Sequence, residues 1–146
     1  MSQEASEMAG YAGPGHGEFC WTEIATNDAE KAKDFYANVF GWRFQDNKEV
    51  TDGFAYHEYY TGADYPSGGV YQISAEMFPE GAPPPHFMTY ISVDDVDENA
   101  RKATELGATV LKEPADIPNT GRFAVIQDPT GAVFATFKMA EGGHNG

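Results

Sequence analysis

The chain has 146 residues, 41% of them apolar and 14% aromatic, with 9 Lys and Arg against 23 Asp and Glu for a net charge of −14. This length and apolar content support one domain with a full core and exclude intrinsic disorder for most of the chain. Acidity on this scale repels phosphate backbones and anionic lipid, so no nucleic acid and no membrane is expected as a partner.

Residues 1–16 read as a flexible acidic arm, with Glu4 and Glu7 and no basic segment of the kind that opens a secretory signal. The single thiol, Cys20, excludes an intramolecular disulfide and a multi-cysteine metal cage. No apolar run approaches the roughly 18 residues of a spanning helix. A cytoplasmic location is therefore expected.

Phe19 to Ala25 alternates as a strand, with Cys20, Thr22 and Ile24 on one face and Phe19, Trp21 and Glu23 on the other. A helix over 28–40 follows. Asn27 serves as its N-cap with Glu30 three residues on, and Ala29, Ala32, Phe35, Tyr36, Val39 and Phe40 form its apolar stripe. Gly41 suits its left-handed end. Strands are predicted at Trp42 to Gln45, Phe54 to Tyr60 and Gly69 to Ile73, and residues 79–86 form a Pro-rich linker. A second strand and helix then recur. The helix runs over 95–106, with Asp95 and Glu98 as the capping pair, Val96, Ala100, Ala103 and Leu106 as the stripe, and Gly107 as the stop. Strands at Thr109 to Lys112, Arg122 to Gln127 and Ala132 to Lys138 complete the unit. The last two are joined by the turn Asp128-Pro129-Thr130-Gly131.

The two halves match. Trp21 to Asp28 lies over Met88 to Asp95, 67 residues on and without a gap, placing Thr22 on Thr89 and Ile24 on Ile91. Phe54 is matched to Phe123. The reading is α+β: two βαβββ modules (17–78 and 87–139) in one domain over 17–139, with a flexible tail at 140–146.

Asp34 to Trp42 with its Phe-Tyr and Phe-Gly-Trp, the Val93-Asp94-Asp95-Val96-Asp97 entry and the Asp128-Pro129-Thr130-Gly131 hairpin resemble the vicinal oxygen chelate superfamily. That group holds glyoxalase I, bleomycin- and fosfomycin-resistance proteins and extradiol dioxygenases. The resemblance implies that the modules form an incomplete eight-stranded barrel around a cup for a substrate or metal. It also implies metal ligands on the first and last strands of each module, which here correspond to Trp21, Met88, Ala135 and a residue within Gly69 to Ile73, where Gln72 alone has ligating chemistry. Trp, Met and Ala do not hold a hard divalent cation. No metal and no other cofactor is therefore expected.

Strand parity turns Trp21, Glu23, Met88 and Tyr90 toward the cup, and Ala135 joins them through the resemblance. Glu23 is the telling residue. A carboxylate within an apolar strand is either paired, with Arg43 or Arg122 as partners, or functional as an acid/base or ligand anchor. The strand Tyr56-His57-Glu58-Tyr59-Tyr60 brings either His57 or Glu58 to the cup, and register alone decides between them. His86 stands two residues before Met88 on the same face, whereas His16 and His144 fall in the termini. Cys20 points away from the cup. The expected function is metal-free binding of a small, mostly apolar or aromatic molecule. The alternative is an enzyme of the same superfamily, metal-dependent or using Glu23 as acid/base. By analogy a homodimer is expected.

Overall fold

The computed structural model describes residues 14–46, 56–74, 81–118 and 120–140. Its elements are β1 (Phe19–Thr26), α1 (Ala29–Phe40), β2 (Arg43–Asp46), β3 (Tyr56–Tyr60), β4 (Gly68–Gln72), β5 (His86–Ser92), α2 (Val96–Glu105), β6 (Thr109–Ile117), β7 (Gly121–Gln127) and β8 (Val133–Met139). They are the two expected βαβββ modules. All eight strands belong to one sheet in the order β2-β3-β4-β1-β5-β8-β7-β6. β1 runs parallel to β4 and β5 parallel to β8, while β1 and β5 meet antiparallel at the centre. The sheet stays open, with β2 and β6 at its ends.

The internal repeat is written into the central ladder. Thr22 lies opposite Thr89, with Trp21 opposite Tyr90 and Glu23 opposite Met88. The halves are thus related by a pseudo-two-fold axis through the Thr22–Thr89 pair. Following the ladders outward makes Gly69 the counterpart of Ala135, Val70 of Thr136 and Tyr71 of Phe137. It likewise makes Tyr56 the counterpart of Phe123 and Glu58 of Val125. The expected partner of Phe123, Phe54, lies outside the described residues, and ladder register gives that place to Tyr56.

Both helices cover the same face of the sheet. Ile24, Ala29, Tyr59 and Val70 form the first core cluster, and Tyr36, Trp42 and Phe44 pack against it. Val93, Val96 and Ala124 form the second. In β3 and β7 the residues facing the helices, His57, Tyr59, Ala124 and Ile126, are buried, while Tyr56, Glu58, Phe123 and Val125 on the opposite, helix-free face are half-buried. One buried group on the helix side lacks a partner among the described residues: the hydroxyl of Thr136.

The caps follow local chemistry with one correction. Asp28, not Asn27, caps α1, its carboxylate accepting from the Lys31 N–H at 3.0 Å. Asp95 does the same for α2 through the Glu98 N–H. Gly41 closes α1 at φ 77°, a left-handed value that a side chain resists. β6 runs past its expected end at Lys112 to Ile117, with register shifts on both sides of Lys112. Pro114, which has no N–H for the ladder, lies within the second irregular stretch.

The end of the arm is anchored rather than loose. The Gly17 N–H donates to Ser92 O at 2.7 Å, Ser92 Oγ donates to Pro14 O, and His16 Nδ1 accepts from the Asp94 N–H. Residues 1–13 and 141–146, including His144, lie outside the described residues.

Candidate functional site on the helix-free face

Parity in β1 and β5 brings Trp21, Glu23, Met88 and Tyr90 to the helix-free face, and Ala135 joins them opposite Tyr90. His86 shares this side by alternation, opposite Ala25, and its Nδ1 contacts Pro84 O at 2.8 Å. Glu23 is the hub. The Tyr56 hydroxyl donates to Oε2 at 2.9 Å and the Tyr90 hydroxyl to Oε1 at 2.8 Å. The Trp21 indole N–H in turn donates to the Tyr56 oxygen at 2.9 Å. Burial raises the Glu23 carboxyl above its ordinary range, and the two phenol hydrogen bonds and the field of His86 pull the other way. Both phenols are held well above their ordinary values, first by burial and then by the Glu23 charge, so they stay protonated as donors.

This network exists because of a glycine. Tyr56 reaches Glu23 across the intervening strand β4, and its ring lies over Gly69, where a Cβ would stand 2.2 Å from the phenol oxygen. Any larger residue at 69 displaces Tyr56. Tyr71 stands beside Tyr56 on the same face, its phenol pushed up to about 12 by burial and by the Glu23 charge. Across the axis the Tyr90 ring meets Phe123 and Phe137 at 6.5 and 6.4 Å.

Several expected residues lie elsewhere. His57 does not reach the helix-free face. It points with Tyr59 toward the helices, is buried, and sits with Nδ1 2.6 Å from Asp46 Oδ1. Glu58 takes the open face instead, and a one-residue register step separates the two outcomes. Gln72 is a capping residue, not a ligand: Oε1 accepts from the Ala29 N–H at 2.9 Å and Nε2 donates to Asn27 O at 2.6 Å. The counterpart of Ala135 is therefore Gly69. Arg122 does not pair with Glu23. It binds Asp97 with two hydrogen bonds of 2.8 Å and Asp116 with one of 3.0 Å. Arg43 lies over the Tyr60 ring. Cys20 flanks a register irregularity in β1, its Sγ 3.6 Å from Tyr90 O and its thiol pushed up to about 11 by burial, which leaves it a poor nucleophile. Tyr56 and Gly69 were not singled out from sequence, although the pair Gly68-Gly69 within a strand already signals a close approach.

The metal positions implied by the resemblance are thus Trp21, Met88, Gly69 and Ala135. None offers an oxygen or imidazole donor, so the residues do not fit a divalent cation. Among the described residues, no three His, Cys, Asp or Glu side chains converge on one point. Glu23, the one carboxylate at the centre, already has both oxygens engaged by phenols. Two cavities bounded by described residues lie away from this centre. One of about 510 Å³ lies between α2 and β6, and one of about 180 Å³ between α1 and the start of β5.

Comparison with known proteins agrees with this architecture. A mycobacterial protein named "Putative glyoxylase CFP32", from Mycobacterium bovis, is 38% identical over 124 residues, 85% of this chain and 45% of that protein. The anthracycline biosynthesis protein DnrV of Streptomyces peucetius is 35% identical over 141 residues, 95% of this chain and 46% of that protein. The chain thus spans about half the length of these relatives. The crystal structure of methylmalonyl-CoA epimerase from Mycobacterium tuberculosis superposes with a TM-score of 0.56 at 15% identity, covering 86% of this chain and 89% of the other. That is a likeness of fold alone. The sequence pattern of the Glyoxalase/Bleomycin resistance protein/Dioxygenase superfamily matches residues 19–136, and the chain belongs to that superfamily.

Proposed function

We propose that this chain binds a small, mostly apolar or aromatic molecule on its helix-free face, without a metal. The observation that carries the reading is the replacement of chelating side chains by an aromatic floor. Trp21, Met88, Gly69 and Ala135 occupy the ligand positions, and Glu23 supplies one acidic group already matched by two phenol donors. Half-buried aromatic and thioether surface of this kind favours flat apolar ligands, and a single polar group orients them. A relative named for anthracycline biosynthesis supports a small-molecule role. Metal content measured by mass spectrometry on unsupplemented protein, together with fragment titration of the wild type and Glu23→Gln, tests the proposal. Sub-stoichiometric metal and fragment binding weakened by Glu23→Gln are expected. Stoichiometric zinc, iron, manganese or nickel overturns it.

One observation favours a second reading, a metal-free enzyme with Glu23 as acid/base: its carboxyl is buried and raised above its ordinary value, chiefly by that burial, and perturbed buried carboxyls of this kind serve as acids and bases.

A further inference from the structure

Four large apolar side chains gather around Tyr36 on the helix side of module one. Phe35, Val39 and Phe40 belong to α1 and Phe87 to β5, and each is more than half exposed. The rings of Phe35, Phe40 and Phe87 lie 5.1, 6.2 and 6.1 Å from that of Tyr36, so the patch is continuous. The fold does not ask for it. Laying Asp28 on Asp95, as the internal repeat does, sets Lys102, Leu106 and Gly107 at the places of Phe35, Val39 and Phe40, with Ala103 for Tyr36 and Cys20 for Phe87. Module two thus covers the same face of the same sheet with one exposed leucine where module one presents three rings and a valine.

We propose that this patch is the contact between two copies of the chain, packed α1 against α1 about a two-fold axis. Area, charge and shape agree. Phe35, Val39, Phe40 and Phe87 are 56%, 53%, 61% and 54% exposed. Together they offer about 400 Å² of apolar surface, taking roughly 200 Å² for a whole Phe side chain. A stable interface takes about 800 Å² from each partner, somewhat more than half of it apolar, so these four residues supply most of the apolar share. α1 sets Lys31 and Lys33 against Glu30 and Asp34 and is neutral in a chain of net charge −14, so two such helices meet without net repulsion. Ala32, Phe35, Tyr36 and Val39 fall on one stripe of the helix. The cavity of about 180 Å³ bounded by Ala32, Tyr36 and Phe87 opens along that stripe. One copy's Phe35 ring enters the other's cavity and the reverse, the self-complementary arrangement a two-fold contact requires. The relatives described above agree in size: their chains extend beyond the matched part by about as many residues again, room for one more unit of this kind.

The contact lies on the helix side of the sheet, so it leaves both helix-free faces open and stands independently of what they bind. Sedimentation velocity of the full chain across micromolar concentrations tests it. The wild type is expected to be a dimer. Phe35→Lys installs the residue that module two carries at the same place, at a side chain already more than half exposed, and it also lowers the net negative charge. It is expected to weaken the dimer about hundredfold, the loss typical of a central aromatic anchor. Phe87→Ser, on the neighbouring strand, is expected to weaken it in the same direction. Leu106→Lys makes the matching change on α2 and is expected to leave the dimer intact. Circular dichroism of each variant should match the wild type. A monomeric wild type overturns the proposal, and if such a monomer binds 1-anilinonaphthalene-8-sulfonate at a site lost in Phe35→Lys, the patch has another occupant. A dimer untouched by both Phe35→Lys and Phe87→Ser, or weakened equally by Leu106→Lys, places the contact elsewhere and overturns it too.

Discussion

The two modules share a topology and almost nothing else in how they hold it. In module one, Trp42 stacks on Tyr59 with centroids 4.5 Å apart and planes 5° apart, and Tyr36 stacks on Trp42 at 5.2 Å. α1 is fastened by aromatic surface, and Phe35, Val39 and Phe40 remain more than half exposed along it. In module two the cluster is aliphatic and small, formed by Val93, Val96 and Ala124. Ion pairs supplement it, with Arg122 tying α2 to β7 through Asp97 and Arg101 holding Glu98 and Glu105 along the helix. One fold thus accepts two packing solutions, because the sheet and helix geometry asks only for apolar volume at given places.

The comparison is open to attack at its strongest point. Trp42→Ala is expected to cost about 3–5 kcal/mol in chemical denaturation, the range for removing a packed large aromatic. Val96→Ala in module two is expected to cost less than half as much, since it removes only two methyl groups at about 0.8 kcal/mol each before any cavity penalty. Equal losses would mean that the aromatic stack is decoration.

A smaller effect runs in the other direction. Thr136 is 1% exposed with an unpartnered hydroxyl, and its counterpart in module one is Val70, 0% exposed. Thr136→Val therefore copies the first module's solution into the second. It is expected to raise stability by about 1 kcal/mol, because an unsatisfied buried hydroxyl is removed at nearly constant volume. A loss of stability would place an ordered water or other partner at that hydroxyl.

The smallest expected effect is a slope. The Glu23 carboxyl is raised in the folded state from an ordinary value of 4.5, chiefly by burial. The folded protein therefore holds this proton more tightly than the unfolded chain. Its contribution is complete below 4.5 and is lost as pH rises through the folded value. Glu23→Gln has no such proton, so wild type should lose stability relative to the variant on going from pH 4 to pH 8 in denaturant titrations. A difference independent of pH would mean that the two phenols fully offset burial.

Both helices, eight strands and the inward set Trp21, Glu23, Met88 and Tyr90 were legible in the sequence because they depend on periodicity, which a single chain displays. The matching of the halves carried more than was taken from it: aligned on Asp95, it points to Asp28 as the cap of α1 rather than Asn27. What stayed hidden depends on register between strands far apart in sequence. Whether His57 or Glu58 faces outward is decided by the β3–β4 ladder, and whether Gly69 or Gln72 answers to Ala135 by the β1–β4 ladder. The partnership of Tyr56 with Glu23 needed both ladders together with the missing side chain at Gly69. No local pattern encodes such a distance.

The Thr22–Thr89 pairing also has a consequence in time. β1 is the first strand among the described residues, yet it lies between β4 and β5 and is hydrogen-bonded on both edges. During synthesis it gains its first ladder only when β4 follows, and its second edge waits until the whole of module one and the linker have been made. Closing contacts this distant is slow, and an unpaired strand edge in the interval invites pairing with another nascent chain. A fragment ending within the linker would keep that edge permanently open. The symmetry that builds the helix-free face in the finished molecule thus makes the first half of the chain dependent on the second for its protection.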